Sequence, residues 1–197
     1  FLVSYKFIRG KHMIKFAGKN IIITGASSGI GKELAEQLSK TTCTLHLISR
    51  RINLLADLQL KLKNNKSQIF IYECDVSSKG DVAETYKQII TAADKIDIAI
   101  LNAGVSCRSS IAEFDSAQIQ NLFDINVMGI VHWVEQLVPK MINTNTGMIV
   151  GISSLADSRA YSKSGAYCAS KAAATRFLEG LRLELAEYGV KVLTVKP

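Results

Sequence analysis

The 197-residue sequence predicts an α/β fold, a doubly wound parallel sheet of Rossmann type with helices on both faces, and three observations carry that prediction. Short strand-like apolar runs alternate with helical stretches along the chain. The first run, Ile21-Ile22-Ile23-Thr24, is continuously β-branched, as suits a strand buried on both faces. It leads at once into a glycine-rich turn, Gly25-Ala26-Ser27-Ser28-Gly29-Ile30-Gly31, and then into a helix. Such alternation requires right-handed crossovers and gathers ligand-binding groups at the carboxyl ends of the strands.

In order, the pattern predicts strand 21–24, helix 32–40, strand 43–49, helix 52–62, strand 68–73, helix 81–93 and strand 96–101. A long helical stretch over about 116–142 follows, then strand 147–152, helix 164–188 and strand 191–195. Asn126 lies inside the long stretch, where asparagine is a poor helix former and implies a bend or a hydrogen-bonding duty. Helix 164–188 is rich in Ala and Leu, contains no proline, and is followed by Gly189 in position to cap it.

Composition narrows the function classes. With 48% apolar and 21% charged residues, the chain has the makeup of one folded domain, and no window approaches eighteen uninterrupted apolar residues. The net charge of +7 invites nucleic acid as a partner, but Lys6, Arg9 and Lys11 lie in the acid-free first twelve residues, leaving +4 elsewhere. The other basic residues are scattered and match no nucleic-acid motif. Cysteines 43, 74, 107 and 168 are far apart and His12, His46 and His132 add no cluster, so no metal site is expected and a cytoplasmic setting with reduced thiols is. Residues 1–12 read as a non-native or flexible extension before a start at Met13, with peripheral membrane association through a basic amphipathic anchor as the alternative. Residues 13–197 read as one domain.

The strand ends supply the candidate site. Glycines in the 25–31 turn permit positive φ and let the backbone approach a pyrophosphate, whose charge meets a helix N-terminus. Strand 43–49 ends at Ser49-Arg50-Arg51, where an NAD-selective site would place an acid for the ribose hydroxyls, yet no carboxylate occurs before Asp57. Arginines opening a helix oppose its dipole, so they call for an anion; a 2′-phosphate serves, which predicts NADP(H) over NAD(H) with Arg50 as the contact. Asp75, before Val76, either caps the next segment or meets an adenine amino group. Asn102-Ala103-Gly104 are small enough for backbone to pass close to a flat cofactor, and the next strand delivers Ser153 and Ser154. Tyr167 and Lys171 stand at i and i+4 on one helix face. A free phenol titrates near ~10, and a neighbouring cation brings such a group toward general acid/base work. Alone, the pair also describes an ordinary amphipathic surface.

Taken together, Thr24-Gly25-x-x-x-Gly29-x-Gly31, Asn102-Ala103-Gly104, Asn126, Ser154 and Tyr167-x-x-x-Lys171 resemble the short-chain dehydrogenases/reductases in order and spacing across residues 13–197. The resemblance implies that Tyr167 exchanges a proton with the substrate oxygen while hydride passes between substrate carbon and nicotinamide. It implies that Ser154 hydrogen-bonds that oxygen, that Lys171 binds the nicotinamide ribose and favours the phenolate, and that Asn126 holds a relay water. Gly25, Ser27, Ser28, Gly29, Ile30 and Gly31 would line the pyrophosphate, Ser49, Arg50 and Arg51 the adenosine ribose, Asp75 and Val76 the adenine, and Asn102, Ala103 and Gly104 the inner edge. Members of the family continue past the proline matching Pro197 into a substrate lid and a seventh strand, so the intact protein is expected to run further. The expected partner is a small-molecule carbonyl or alcohol, and the expected assembly a homodimer or homotetramer. Two alternatives remain open: a 3-oxoacyl-[acyl-carrier-protein] reductase, and a catalytically silent nucleotide-binding sensor or scaffold.

Overall fold

The computed structural model describes residues 15–107, 112 and 114–197. The expected extension at 1–12 lies outside the described residues. Six strands form one parallel sheet: β1 (Asn20–Thr24), β2 (Thr44–Ser49), β3 (Gln68–Glu73), β4 (Ile98–Leu101), β5 (Met148–Ile152) and β6 (Lys191–Val195). Their spatial order is β3-β2-β1-β4-β5-β6. The chain reverses direction across the sheet between β1 and β4, which pair through Ile21↔Ile98 and Ile23↔Ile100. A crevice at that switch point is where ligands bind in open α/β sheets.

Strand periodicity explains why β1 is almost all isoleucine. Ile22 packs with Ala99, Trp133, Leu137, Ile149 and Leu178 on one face of the sheet, while Ile21 and Ile23 pack with Leu45, Leu47, Leu55 and Ile100 on the other. All three β1 isoleucines are fully buried, each contributing about 2–3 kcal/mol over an exposed position. Helices α1 (Gly29–Leu38) and α2 (Ile52–Leu62) cover the Ile21/Ile23 face; α3 (Lys79–Ala92), α5 (Gly129–Asn143) and α6 (Gly165–Glu184) cover the Ile22 face.

Beyond shifts of a residue or two at other ends, three elements depart from the sequence prediction, each for a local reason. Helix α1 begins at Gly29 rather than 32, because the glycine turn closes directly into its first helical turn. The stretch 116–142 divides into α4 (Ser116–Phe123), a π-helical segment Asp124–Met128, and α5. Asn126 sits within that segment, fully buried, so the asparagine marks the interruption that its poor propensity implied. Helix α6 ends at Glu184 and tightens into a 3-10 turn, Leu185–Tyr188, before Gly189 takes the left-handed conformation at φ 68°. No helix among the described residues is long and apolar enough to cross a membrane.

Candidate active site

A cavity of about 750 Å³ opens at the carboxyl ends of β1 to β5, within the size range of cofactor sites. Of the residues singled out from the sequence, Gly25, Ser27, Ser28, Gly29, Ile30, Ser49, Arg50, Arg51, Asp75, Val76, Asn102, Ala103, Gly104, Ser154, Tyr167 and Lys171 all line it. Gly31 and Asn126 do not. They stand immediately behind its wall.

The glycine turn is held by short side chains. The Thr24 hydroxyl accepts the backbone N–H groups of Asn102 at 2.9 Å and Ala103 at 3.0 Å. The Asn102 amide returns a proton to the Thr24 carbonyl at 3.0 Å, with the Gly25 carbonyl at 3.4 Å. Gly25 and Gly29 have φ of 66° and 54°, a region that side-chain-bearing residues rarely enter. A Cβ on Gly31 would run into the Gly25 carbonyl oxygen and come 2.6 Å from the Asn102 amide nitrogen, so only glycine lets α1 pack against its own turn. A Cβ on Gly29 would meet nothing within 4 Å, so that side of the turn is open. The first turn of α1 holds no acid, and Ser28 makes no side-chain cap to it. The N–H groups there are left to an anion.

At the end of β2 the two arginines diverge. Arg51 donates from Nη2 to the hydroxyls of Ser27 at 2.9 Å and Ser28 at 2.7 Å, and from Nε to Ser27 at 3.2 Å. Ser49 donates to Ser27 at 2.8 Å and accepts the Arg51 N–H at 3.1 Å. Arg50 instead faces Asp75, 3.5 Å from Oδ2. Asp75 caps its own turn, accepting from the Ser77 N–H at 3.0 Å and hydroxyl at 2.6 Å. Burial pushes its carboxyl up, but the Ser77 hydrogen bonds and the Arg50 guanidinium outweigh that and hold it below the usual carboxylate value. The Val76 carbonyl accepts from His132 Nδ1 at 3.1 Å, which fixes the tautomer with a proton on that nitrogen.

The other rim gathers around Gly104. A Cβ there would lie 3.2 Å from Asn126 Oδ1 and 3.3 Å from Lys171 Nζ, so both polar groups converge on this glycine. Asn126 Oδ1 accepts from the Val105 N–H at 2.8 Å, and its Nδ2 donates to the Val105 carbonyl at 2.9 Å and Ser170 Oγ at 3.0 Å. Both amide protons are thus committed to protein. Lys171 is buried and donates to the Ile152 carbonyl at 3.0 Å; burial lowers its pKa. The Ser154 hydroxyl accepts from the Ala156 N–H at 3.2 Å, while no acceptor among the described residues takes its proton. Tyr167, on the first turn of α6, is half-buried, and its phenol has no hydrogen-bond partner among the described residues.

Three contributors carry little signal of their own in the sequence. Thr24 stands in the sequence as the first residue of the glycine motif, but that its hydroxyl receives the Asn102 and Ala103 N–H groups leaves no trace there. The Ile152 carbonyl is backbone and leaves no trace. The Asp157 side chain, in the turn after Ser154, is buried beside Ser153 and against Thr175 and Lys196, the last two distant in sequence.

The model of the short chain dehydrogenase family matches residues 19–197. The chain belongs to the short-chain dehydrogenase family. It is accordingly an oxidoreductase of the alcohol–carbonyl class. An uncharacterized oxidoreductase of Staphylococcus saprophyticus is 32% identical over 186 residues, which cover 94% of this chain and 80% of the relative. Among solved structures, a metagenomic short-chain oxidoreductase in complex with NADP superposes with a TM-score of 0.88 at 26% identity, over 92% of this chain and 83% of that one. NAD⁺-bound xylitol dehydrogenase gives 0.88 at 28% identity, over 93% and 71%. These neighbours therefore include one bound to each nicotinamide dinucleotide.

Proposed function

We propose that the protein is an NADP(H)-dependent oxidoreductase, working chiefly as a reductase, that interconverts a carbonyl and a secondary alcohol with Asn126, Ser154, Tyr167 and Lys171. The observation that carries this reading is that Ser154, Tyr167, Lys171 and Gly104 share one cavity with the glycine turn and the open N-terminus of α1. The space beside Gly29, the turn's N–H groups and the cavity's size fit a dinucleotide. When bound, the dinucleotide supplies or accepts the hydride. The partner is a small-molecule carbonyl or alcohol, and the reading includes a cytoplasmic setting and a homodimeric or homotetrameric assembly.

In reduction, the Tyr167 phenol gives a proton to the developing alkoxide, and the unclaimed Ser154 proton hydrogen-bonds the same oxygen, placing donors where negative charge appears. The Lys171 ammonium favours the tyrosinate left behind. Burial disfavours that ammonium, and the Ile152 carbonyl offsets part of the cost by accepting one of its protons. Asn126 ties the Val105 segment to α6 through Ser170, keeping Gly104 against Lys171. A relay water would have to use its remaining Oδ1 lone pair or the π-segment backbone.

For the 2′-phosphate, Arg51 is a better candidate than Arg50. Asp75 neutralises Arg50, whereas no carboxylate pairs with Arg51 among the described residues, and its guanidinium already lies on two cavity hydroxyls. Two sets of variants of the full-length protein test the reading. Tyr167→Phe should lower kcat by about 10³-fold with NADPH affinity unchanged. Arg51→Ala should weaken NADPH by about 10-fold and leave NADH binding alone, with Arg50→Ala the milder of the two. Undiminished turnover in the first variant, or an unchanged NADPH/NADH preference in both arginine variants, contradicts it.

A further inference from the structure

A buried polar cluster below the Ser154 turn is not used by the chemistry proposed above. The Asp157 side chain is 3% exposed, and its Oδ2 accepts from Thr175 Oγ1 at 2.6 Å, Lys196 Nζ at 2.8 Å and Ser153 Oγ at 3.5 Å. Its Oδ1 has no partner among the described residues. Burial pushes the carboxyl up, but the Lys196 and Thr175 hydrogen bonds outweigh that, so the group is held ionised. Thr175 gives its single proton to Asp157, so Ser153 is the donor in their neighbouring contact at 2.7 Å. Ser153 also lies 3.3 Å from the Lys171 carbonyl.

These groups come from three elements, and two of them carry the site. Asp157 is three residues past Ser154 and donates its own N–H to the Ser154 carbonyl at 3.1 Å. Thr175 is one helical turn past Lys171 on α6. Lys196 follows β6 and precedes Pro197, which lines the cavity. A buried carboxylate is a costly way to secure a turn that apolar packing could secure. What it provides here is a directional tie between the turn holding Ser154 and the helix holding Tyr167 and Lys171.

We infer that Asp157 is a positioning residue: its carboxylate clamps the Ser154 turn to α6 and sets the Ser154 hydroxyl against the Tyr167 phenol. The inference rests on the function proposed above. In full-length protein, Asp157→Asn should lower kcat about 10-fold through misplacement of Ser154, with NADPH affinity within about twofold of wild type. In a Ser154→Ala background the same change should cost less than about twofold more, because residues acting through one group are not additive. Deuterium exchange should rise over residues 154–158 and stay constant over 25–31. Losses that multiply, an Asn variant within twofold of wild type, or unchanged exchange at 154–158 overturns the clamp. Should Asp157→Asn fail to fold, Thr175→Val decides: it should reproduce both the rate loss and the faster exchange, Thr175→Ser should restore both, and wild-type behaviour in Thr175→Val overturns the inference. Full activity in Ser154→Ala alone would sink the proposed chemistry, while the exchange result still decides the clamp.

Discussion

The two rims of the cavity are built by different means. The rim after β1 and β2 is backbone and short hydroxyls: Thr24 receives two N–H groups, Asn102 answers its carbonyl, and glycines at 25, 29 and 31 allow the turn. The rim after β4 and β5 is functional side chains held by one another and by the backbone: Asn126 to Ser170, Ser153 to Thr175, Lys171 to the Ile152 carbonyl. A backbone cradle suits a ligand recognised by its phosphates, since N–H groups at a helix start need no side chain. A proton-transfer site needs named groups at fixed positions, and those come from tertiary contacts. The first rim is therefore intolerant of added atoms, and a deletion in either rim costs in proportion to the partners it strands.

The comparison is tested hardest by Gly31→Ala. The new Cβ meets the Gly25 backbone and the Asn102 amide rather than a flexible side chain, so the cost should be about 3 kcal/mol, with loss of dinucleotide affinity. Chemical denaturation and a cofactor titration measure the two effects; an alanine that is tolerated in both breaks the contrast.

A second test uses pH, because the cradle half rests on a buried imidazole. His46 on β2 is fully buried, stacked 5.4 Å from Phe70 and hydrogen-bonded to the Tyr72 hydroxyl at 3.1 Å, and its Nε2 has no partner among the described residues. Burial lowers its pKa to about 4 from an ordinary 6.5. The unfolded chain then binds the extra proton first on acidification. The His46 contribution is complete above pH 6.5 and is lost as pH falls toward 4, amounting to about 2.5 kcal/mol at pH 4.5. Urea midpoints at pH 7.5 and 4.5 should show this fall, and His46→Gln should remove most of it; an equal fall in the variant excludes His46 as the cause.

Thr24→Val is the matching deletion in the cradle. It strands the N–H groups of Asn102 and Ala103 and should cost about 2 kcal/mol, seen as a lower melting temperature together with weaker cofactor binding. Ser170→Ala, in the other rim, should cost only about 1 kcal/mol, because Asn126 Nδ2 keeps the Val105 carbonyl as a partner. A Ser170→Ala loss larger than that of Thr24→Val would reverse the ranking of the two rims.

The same contrast explains what the sequence reveals. The first rim is legible because its requirement falls on backbone conformation, and glycines spaced after an isoleucine run record that requirement in consecutive residues. Tyr167 and Lys171 are legible because helix periodicity joins them. What is not legible arises between elements. The sequence alone makes Arg50 the phosphate contact, but it cannot show that Arg50 lies 3.5 Å from Asp75, just past β3, while Arg51 turns onto Ser27 and Ser28. Asp157 passes unnoticed because its two strongest partners, Thr175 and Lys196, lie eighteen or more residues away. The interruption at Asn126 is half legible: propensity marks the residue, whereas its π-helical form and its bonds to Val105 and Ser170 appear only in the folded chain.

The most direct test of the central claim is a fluorescence titration of the full-length protein with NADPH and with NADH, followed in the same cuvette by a panel of ketones, 3-oxoacyl thioesters and secondary alcohols. NADPH should bind more tightly than NADH, and at least one carbonyl should turn over at a rate that Tyr167→Phe lowers about 10³-fold. Tight binding with no turnover across the panel, or undiminished turnover in Tyr167→Phe, would contradict the proposed chemistry.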